Sequence, residues 1–325
     1  MKDIVNNIFS VKAYTFPSLA LYIFQYQYLS NPVYKAWVDA LGINPRAITT
    51  INEIPFLPVA FFKTHHVVSG THTAQQIFTS SGTTQTINSS HFVTDVMIYE
   101  QSFFKGFENF YGPVTDWCII GLLPSYLERQ GSSLVYMVNH LIKTSNHADS
   151  GFYLYEFEQL AVLIKNLEAS KQKTMIIGVT FALLDFAAAF PMPLKYITII
   201  ETGGMKGRKR EMIRDEVHQL LMRGFSLSNI GSEYGMTELL SQAYSTGNGI
   251  FYPVPWMKVF TRDEDDPLKV QDKGKGLLNI IDLANINSCS FIATDDVAII
   301  YEDNSFEVIG RMDASDIRGC SLMVV

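Results

Sequence analysis

The order of apolar segments constrains this chain more than any other feature. Up to about residue 245, short apolar runs alternate with stretches whose apolar residues recur at three and four. Strand-type runs cover 117–122 (closed by Pro124), 175–180, and 196–200 (stopped by Gly203 and Gly204), and 77–79 reads as the end of another. Helical periodicity covers 18–41, 92–110, 131–144, 156–170, 181–189 and 208–223, and Pro55 and Pro58 mark a loop. From Ile250 onward only short strands follow, at 276–282, 290–293, 297–301 and 306–309. The pattern predicts an α/β core with an antiparallel, β-rich end and no sharp linker.

Composition removes several function classes. Of the 325 residues, 47% are apolar and 18% charged, which excludes a disordered chain. A formal charge of −7 argues against general nucleic-acid binding, which needs phosphate-neutralising cations. The three cysteines (Cys118, Cys289 and Cys320) form no close pair, so a reducing cytoplasm is expected, without disulfides or a CxxC metal site. The strongest membrane candidate, 174–194, is broken by Asp185, Pro191 and Pro193, so no membrane span is expected. The acidic run 262–267 lacks the alternate ligand spacing of a calcium loop and reads as a solvated turn. There is no Walker loop, GxGxxG, HExxH or GxSxG, and His65, His66 and His72 do not form a metal-spaced set.

Four segments carry chemistry. Thr79-Ser80-Ser81-Gly82-Thr83-Thr84 places five hydroxyls around one glycine after a strand, a composition suited to phosphate oxygens or to a polar turn. Glu201-Thr202-Gly203-Gly204-Met205-Lys206-Gly207 follows a strand directly, where glycines let a ligand lie against the backbone. Ser232-Glu233-Tyr234-Gly235-Met236-Thr237-Glu238 puts an aromatic ring, a hydroxyl and a carboxylate together, for base stacking and Mg²⁺, or starts a helix capped by Thr237. Thr294-Asp295-Asp296 with Gly310-Arg311-Met312-Asp313 suits either ribose hydroxyls or hairpin turns.

In order and spacing, TSSGTT, ETGGMKG, YGMTE, TDD and GRMD resemble the adenylate-forming superfamily of acyl-CoA synthetases, peptide-synthetase adenylation domains and luciferases. Asp296 and Arg311 are fifteen positions apart, a spacing that suits that family. Within it, PFLPVAFFKT, SSGTTQ and TFALLDF look like the LuxE-type acyl-protein synthetases, with phenylacetate-CoA ligases as neighbours. The resemblance covers roughly 50–323. It implies the large α/β core of the superfamily over 1–310, with a β-rich part at 246–310. It further implies a hinge and tail at 311–325 in place of most of the small C-terminal domain.

By the same resemblance, Thr79, Ser80, Ser81, Gly82, Thr83 and Thr84 would hold ATP phosphates. Gly203, Gly204 and Met205 would pass along the adenine, and Ser232, Tyr234 and Gly235 would complete its site, Tyr234 by stacking. Thr237 would touch the α-phosphate, Glu238 would bind Mg²⁺, and Asp296 would take the ribose beside Arg311. The implied reaction is displacement by a carboxylate, by the resemblance that of a fatty acid with an aryl acid next, at the α-phosphorus. The acyl group would then pass to a thiol: Cys320, a carrier protein, a reductase or CoA. A phenylacetate-type CoA ligase and a non-catalytic nucleotide-binding subunit of an acyl-transfer complex are the alternatives. Two departures stand out. The phosphate loop lacks the family's usual Gly and Lys, and no Lys follows Lys275, where most members supply a catalytic lysine.

Overall fold

A computed structural model describes residues 2–80, 87–123, 131–203 and 212–312. They divide into two compact units: residues 2–77, 87–96 and 252–312 form the first, and residues 78–80, 97–123, 131–203 and 212–251 the second.

In the second unit, strands β1 (Cys118–Leu122), β2 (Gly151–Phe152), β3 (Thr174–Gly178), β4 (Ile197–Glu201), β5 (Gly231–Tyr234) and β6 (Ala243–Ser245) lie in the order β6-β5-β4-β3-β1-β2. All pairs are parallel except β5–β6. Every residue of β1 and β3 is buried, as in parallel strands covered on both faces, which is why CIIGL and TMIIG read as unbroken apolar runs. Helices α1 (Val96–Tyr111), α2 (Ser133–Ser145), α3 (Phe157–Ala169), α4 (Thr180–Ala189) and α5 (Arg214–Phe225) connect and cover them. Leu160, Ile164, Leu183, Phe186, Leu221 and Phe225 form one core with alternate residues of β1, β3 and β4. Ser132 caps α2 by accepting from the Val135 N–H, and Asn146 ends it in the left-handed region at φ +51°.

The first unit is built on an antiparallel sheet of Met257–Arg262, Gly274–Asp282, Phe291–Ile300 and Phe306–Arg311, with Leu57–Pro58 parallel at one edge. Its amino-terminal helices dock by buried polar contacts. The Gln27 amide donates to Asn285 O at 3.0 Å and Ile286 O at 2.9 Å. Tyr34 stacks on Phe291 at 5.8 Å while its hydroxyl donates to Pro55 O. No helix among the described residues is long and apolar enough to cross a membrane.

Three elements depart from the periodicity. The stretch 18–41 is two helices, Phe16–Ser30 and Pro32–Ala40, because a residue before proline is pushed out of the helical region. Asn31 sits there at φ −110°, ψ 105° and caps the second helix through the Tyr34 N–H. Residues Ser90–Val93 form a strand, and the helix starts only at Val96. Residues 290–293 and 297–301 are one strand, Phe291–Ile300, so Thr294, Asp295 and Asp296 lie in mid-strand and not in a hairpin turn.

Candidate active site

In the second unit the chain leaves β1 for β2 on one side, then returns across β1 to β3. Ligands of open α/β sheets bind outside the carboxyl ends of the strands at such a reversal. Those ends are Leu122, Gly178, Glu201 and Tyr234, and the described parts of three motifs gather beyond them.

Thr79, the start of the hydroxyl-rich loop, donates its N–H to Gly131 O at 2.7 Å, in the connection that follows β1. A Cβ on Gly131 would meet Thr79 Oγ1 at 2.7 Å, so glycine permits this tether. Ser80 is half-buried beside it. Ser81, Gly82, Thr83, Thr84, Gly204, Met205 and Cys320 lie outside the described residues.

Gly203 follows β4 at φ +76°, a conformation glycine adopts without steric cost. Among the described residues a Cβ there would meet nothing within 4 Å, so conformation and not crowding by those residues requires the glycine. Its N–H donates to Glu201 Oε1 at 2.7 Å, its carbonyl accepts from Thr180 N at 2.9 Å, and the Thr180 hydroxyl also donates to Glu201. Glu201 is 5% exposed. Burial alone would raise its pKa, but His218, the Thr180 hydroxyl, the Arg214 charge and the Gly203 N–H together hold it below the usual carboxylate range. His218 Nε2 stands 3.1 Å from Ser232 Oγ and 3.9 Å from Glu201 Oε2, so the serine is its hydrogen-bond partner and the carboxylate a charge neighbour. Glu201, Thr180 and His218 therefore tie the glycine loop of β4 to Ser232 of β5. Sequence reasoning assigned none of the three a role. The one available signal was a carboxylate closing a run of isoleucines.

The YGMTE segment is a strand end followed by a turn, with no helix. Tyr234 is 8% exposed, its ring edge-on to Phe251 at 5.9 Å and its hydroxyl directed at Met236 Sδ. Gly235 is exposed, and a Cβ there would lie 2.4 Å from Glu233 Oε1. Leu239 N donates to Met236 O at 3.1 Å, closing the turn that carries Thr237 and Glu238. Thr237 is half-buried and Glu238 is 5% exposed.

Among the described residues no group of three or more His, Cys, Asp or Glu is placed to hold a metal. A single carboxylate such as Glu238 suits Mg²⁺, which draws most of its ligands from phosphates and water, and does not suit an all-protein cage. His65 and His66 pack on the rings of Phe61 and Phe92. Asp263 and Lys269 pair at 3.1 Å in the expected solvated turn.

Asp296 and Arg311 belong to the first unit and are opposite partners in an antiparallel pair. Arg311 Nε lies 3.9 Å from Asp296 Oδ1, and its NH2 3.9 Å from Asp295 Oδ2. The Asp296 N–H donates to Thr294 Oγ1 at 3.1 Å, so the threonine of T-x-D sets the backbone that carries the carboxylate. Arg262 donates to Thr294 O at 2.6 Å and to Asn279 Oδ1 at 2.8 Å, bracing the same strand.

The long-chain-fatty-acid–luciferin-component ligase of Aliivibrio fischeri is 26% identical over 92% of this chain and 85% of its own length. That of Vibrio harveyi is 25% identical over 92% and 84%. A crystal structure of 2-hydroxyisobutyryl-CoA ligase in the postadenylation state superposes with a TM-score of 0.63 at 11% identity, covering 95% of this chain and 70% of that one, and so shares its fold. The family model of the acyl-protein synthetase LuxE matches residues 11–325. The chain belongs to the LuxE family of acyl-protein synthetases, ligases that activate an acid and transfer it to a thiol acceptor.

Proposed function

We propose that residues 1–310 form an adenylation core that uses ATP and Mg²⁺ to convert a fatty acid into an acyl-adenylate. The observation that carries this reading is the gathering of Thr79, Ser80, Gly203, Tyr234, Thr237 and Glu238 beyond the carboxyl ends of parallel strands, at the reversal of strand order. In this reading the hydroxyl-rich loop from Thr79 to Thr84 holds the phosphates, while Gly203, Gly204, Met205, Ser232 and Gly235 shape the adenine site. Tyr234 packs on the base, and Asp296 and Arg311 serve the ribose. Glu238 would hold Mg²⁺, which would supply positive charge against the phosphate oxygens. Thr237 donates to the α-phosphate, steadying charge where the carboxylate attacks and pyrophosphate leaves. The Cys320 thiolate then attacks the acyl carbonyl and expels AMP, and the resulting thioester passes its acyl group to a reductase, a carrier protein or CoA.

The test is carboxylate-dependent ATP–pyrophosphate exchange over fatty and aryl acids. Exchange is expected with wild type and lost in Glu238→Ala. Exchange retained in that variant overturns the site assignment, and none with any acid overturns the activity. Mass spectrometry after incubation with ATP and acid should find the acyl adduct on Cys320; an adduct elsewhere removes that residue from the pathway.

A further inference from the structure

Helix α5 changes character along its length. Three of its four buried residues, Val217, Leu221 and Phe225, are apolar and belong to the core under the sheet. The fourth, His218, is 5% exposed and meets the carboxyl-end residues Glu201 of β4 and Ser232 of β5. An imidazole costs more to bury than the valine or leucine that fills the other positions, unless a hydrogen bond offsets the cost. Here the offset is the contact of Nε2 with Ser232 Oγ at 3.1 Å, and Ser232 is itself buried.

Arg214 stands one turn earlier, four residues before His218, so the two share a helix face. Its guanidinium carbon Cζ lies 4.9 Å from the centre of the Phe251 ring. Phe251 is fully buried and meets the Tyr234 ring edge-on. Two short chains of contact therefore run from one face of α5 to β5: His218 to Ser232, and Arg214 through Phe251 to Tyr234. Ser232 and Tyr234 are alternate residues of the strand and face the same side of it. A third link runs through Glu201, which feels the Arg214 charge and accepts from the Gly203 N–H at 2.7 Å.

The three groups reached in this way, Gly203, Ser232 and Tyr234, are those assigned above to the base end of the nucleotide. A ring or hydroxyl that must be ordered at binding costs affinity, and one already fixed by its neighbours does not. The contacts reach none of the residues assigned to the phosphates, so their effect falls on one end of the ligand.

We propose that Arg214 and His218 are positioning residues for the nucleotide base: one face of α5 fixes Ser232, Tyr234 and the Gly203 backbone, and acts on the ligand only through them. The inference rests on the adenylation reading above.

The experiment uses the full chain and reads the two ends of the nucleotide separately. AMP binding is measured by calorimetry, and KM for ATP and for pyrophosphate by acid-dependent exchange. His218→Leu and Arg214→Met should each weaken AMP and raise KM for ATP by roughly three- to tenfold, with kcat and KM for pyrophosphate within about twofold of wild type. His218→Gln, which keeps an amide nitrogen near the Nε2 position, should restore AMP binding. The double variant His218→Leu with Ser232→Ala should bind AMP no more weakly than the weaker single variant, because both remove one link. Where His218→Leu does not fold, Ser232→Ala alone reads that link and should weaken AMP by the same factor. AMP binding unchanged in Arg214→Met and in His218→Leu or Ser232→Ala overturns the inference. So does a loss shared equally by AMP and pyrophosphate, or a fall in kcat alone, since either marks residues that only support the fold. A wild-type chain that neither binds AMP nor exchanges with any acid gives a different result: it removes the adenylation reading itself.

Discussion

Glu233 should make the second unit less stable as pH rises. Its carboxyl titrates at about 8 in the folded protein, against an ordinary 4.5, chiefly because burial disfavours the charge. A group with a raised folded pKa holds its proton longer in the folded than in the unfolded state. Its stabilisation is therefore complete below the unfolded value and is lost as pH rises through the folded one. The shift of 8 − 4.5 = 3.5 units, at about 1.36 kcal/mol each, amounts to roughly 5 kcal/mol across the full window, of which roughly 4 kcal/mol falls between pH 5 and pH 9. Domains are stable by only about 5–15 kcal/mol, so this loss is large. Glu233→Gln removes the titration and keeps the shape. Denaturant unfolding of both proteins at pH 5, 7 and 9 should give nearly equal stabilities at pH 5 and a gap that widens in favour of the variant, most of it below pH 8. Groups common to both proteins cancel in the difference. Parallel pH profiles for the two would refute the account of a desolvated, protonated Glu233.

Other predictions follow from single contacts. Glu201 behaves with the opposite sign: its folded pKa is held low, so it stabilises above its ordinary value of 4.5 and that support is lost as pH falls through the lower one. Glu201→Gln should accordingly lose most at neutral pH and should raise KM for ATP through the freed Gly203 loop, measured by exchange kinetics. Gly231→Ala places a Cβ 2.6 Å from Ile200 Cδ1 and 3.0 Å from Ser245 O, and should cost about 1–3 kcal/mol by denaturant unfolding. Burial pushes the Cys118 thiol up to about 11 and that of Cys289 up to about 12, so a thiol reagent at pH 8 should label at most one cysteine per native chain quickly, Cys320. Fast labelling of Cys118 or Cys289 by peptide mapping would contradict their burial.

What the sequence revealed depended on how locally each feature is determined. Residues Cys118–Leu122 and Thr174–Gly178 were legible because strands covered on both faces leave no polar position to obscure them. Asn31 was harder: apolar periodicity continues through it, and only the following proline records the break. The TDD segment read equally as a turn, because aspartates favour turns locally, whereas pairing with Gly274–Asp282 and Phe306–Arg311 holds it as strand.

The same division runs through the site. In the proposed reading, binding a triphosphate and a purine relies on loop backbone, glycine conformation and a short ordered run of side chains, so Gly203, Tyr234, Thr237 and Glu238 sit in recognisable strings. Residues at positions 111, 233 and 244 are brought together by the docking of α1 on the sheet and by the antiparallel turn of β6 onto β5. No spacing rule links those positions along the chain, and each alone passes for core.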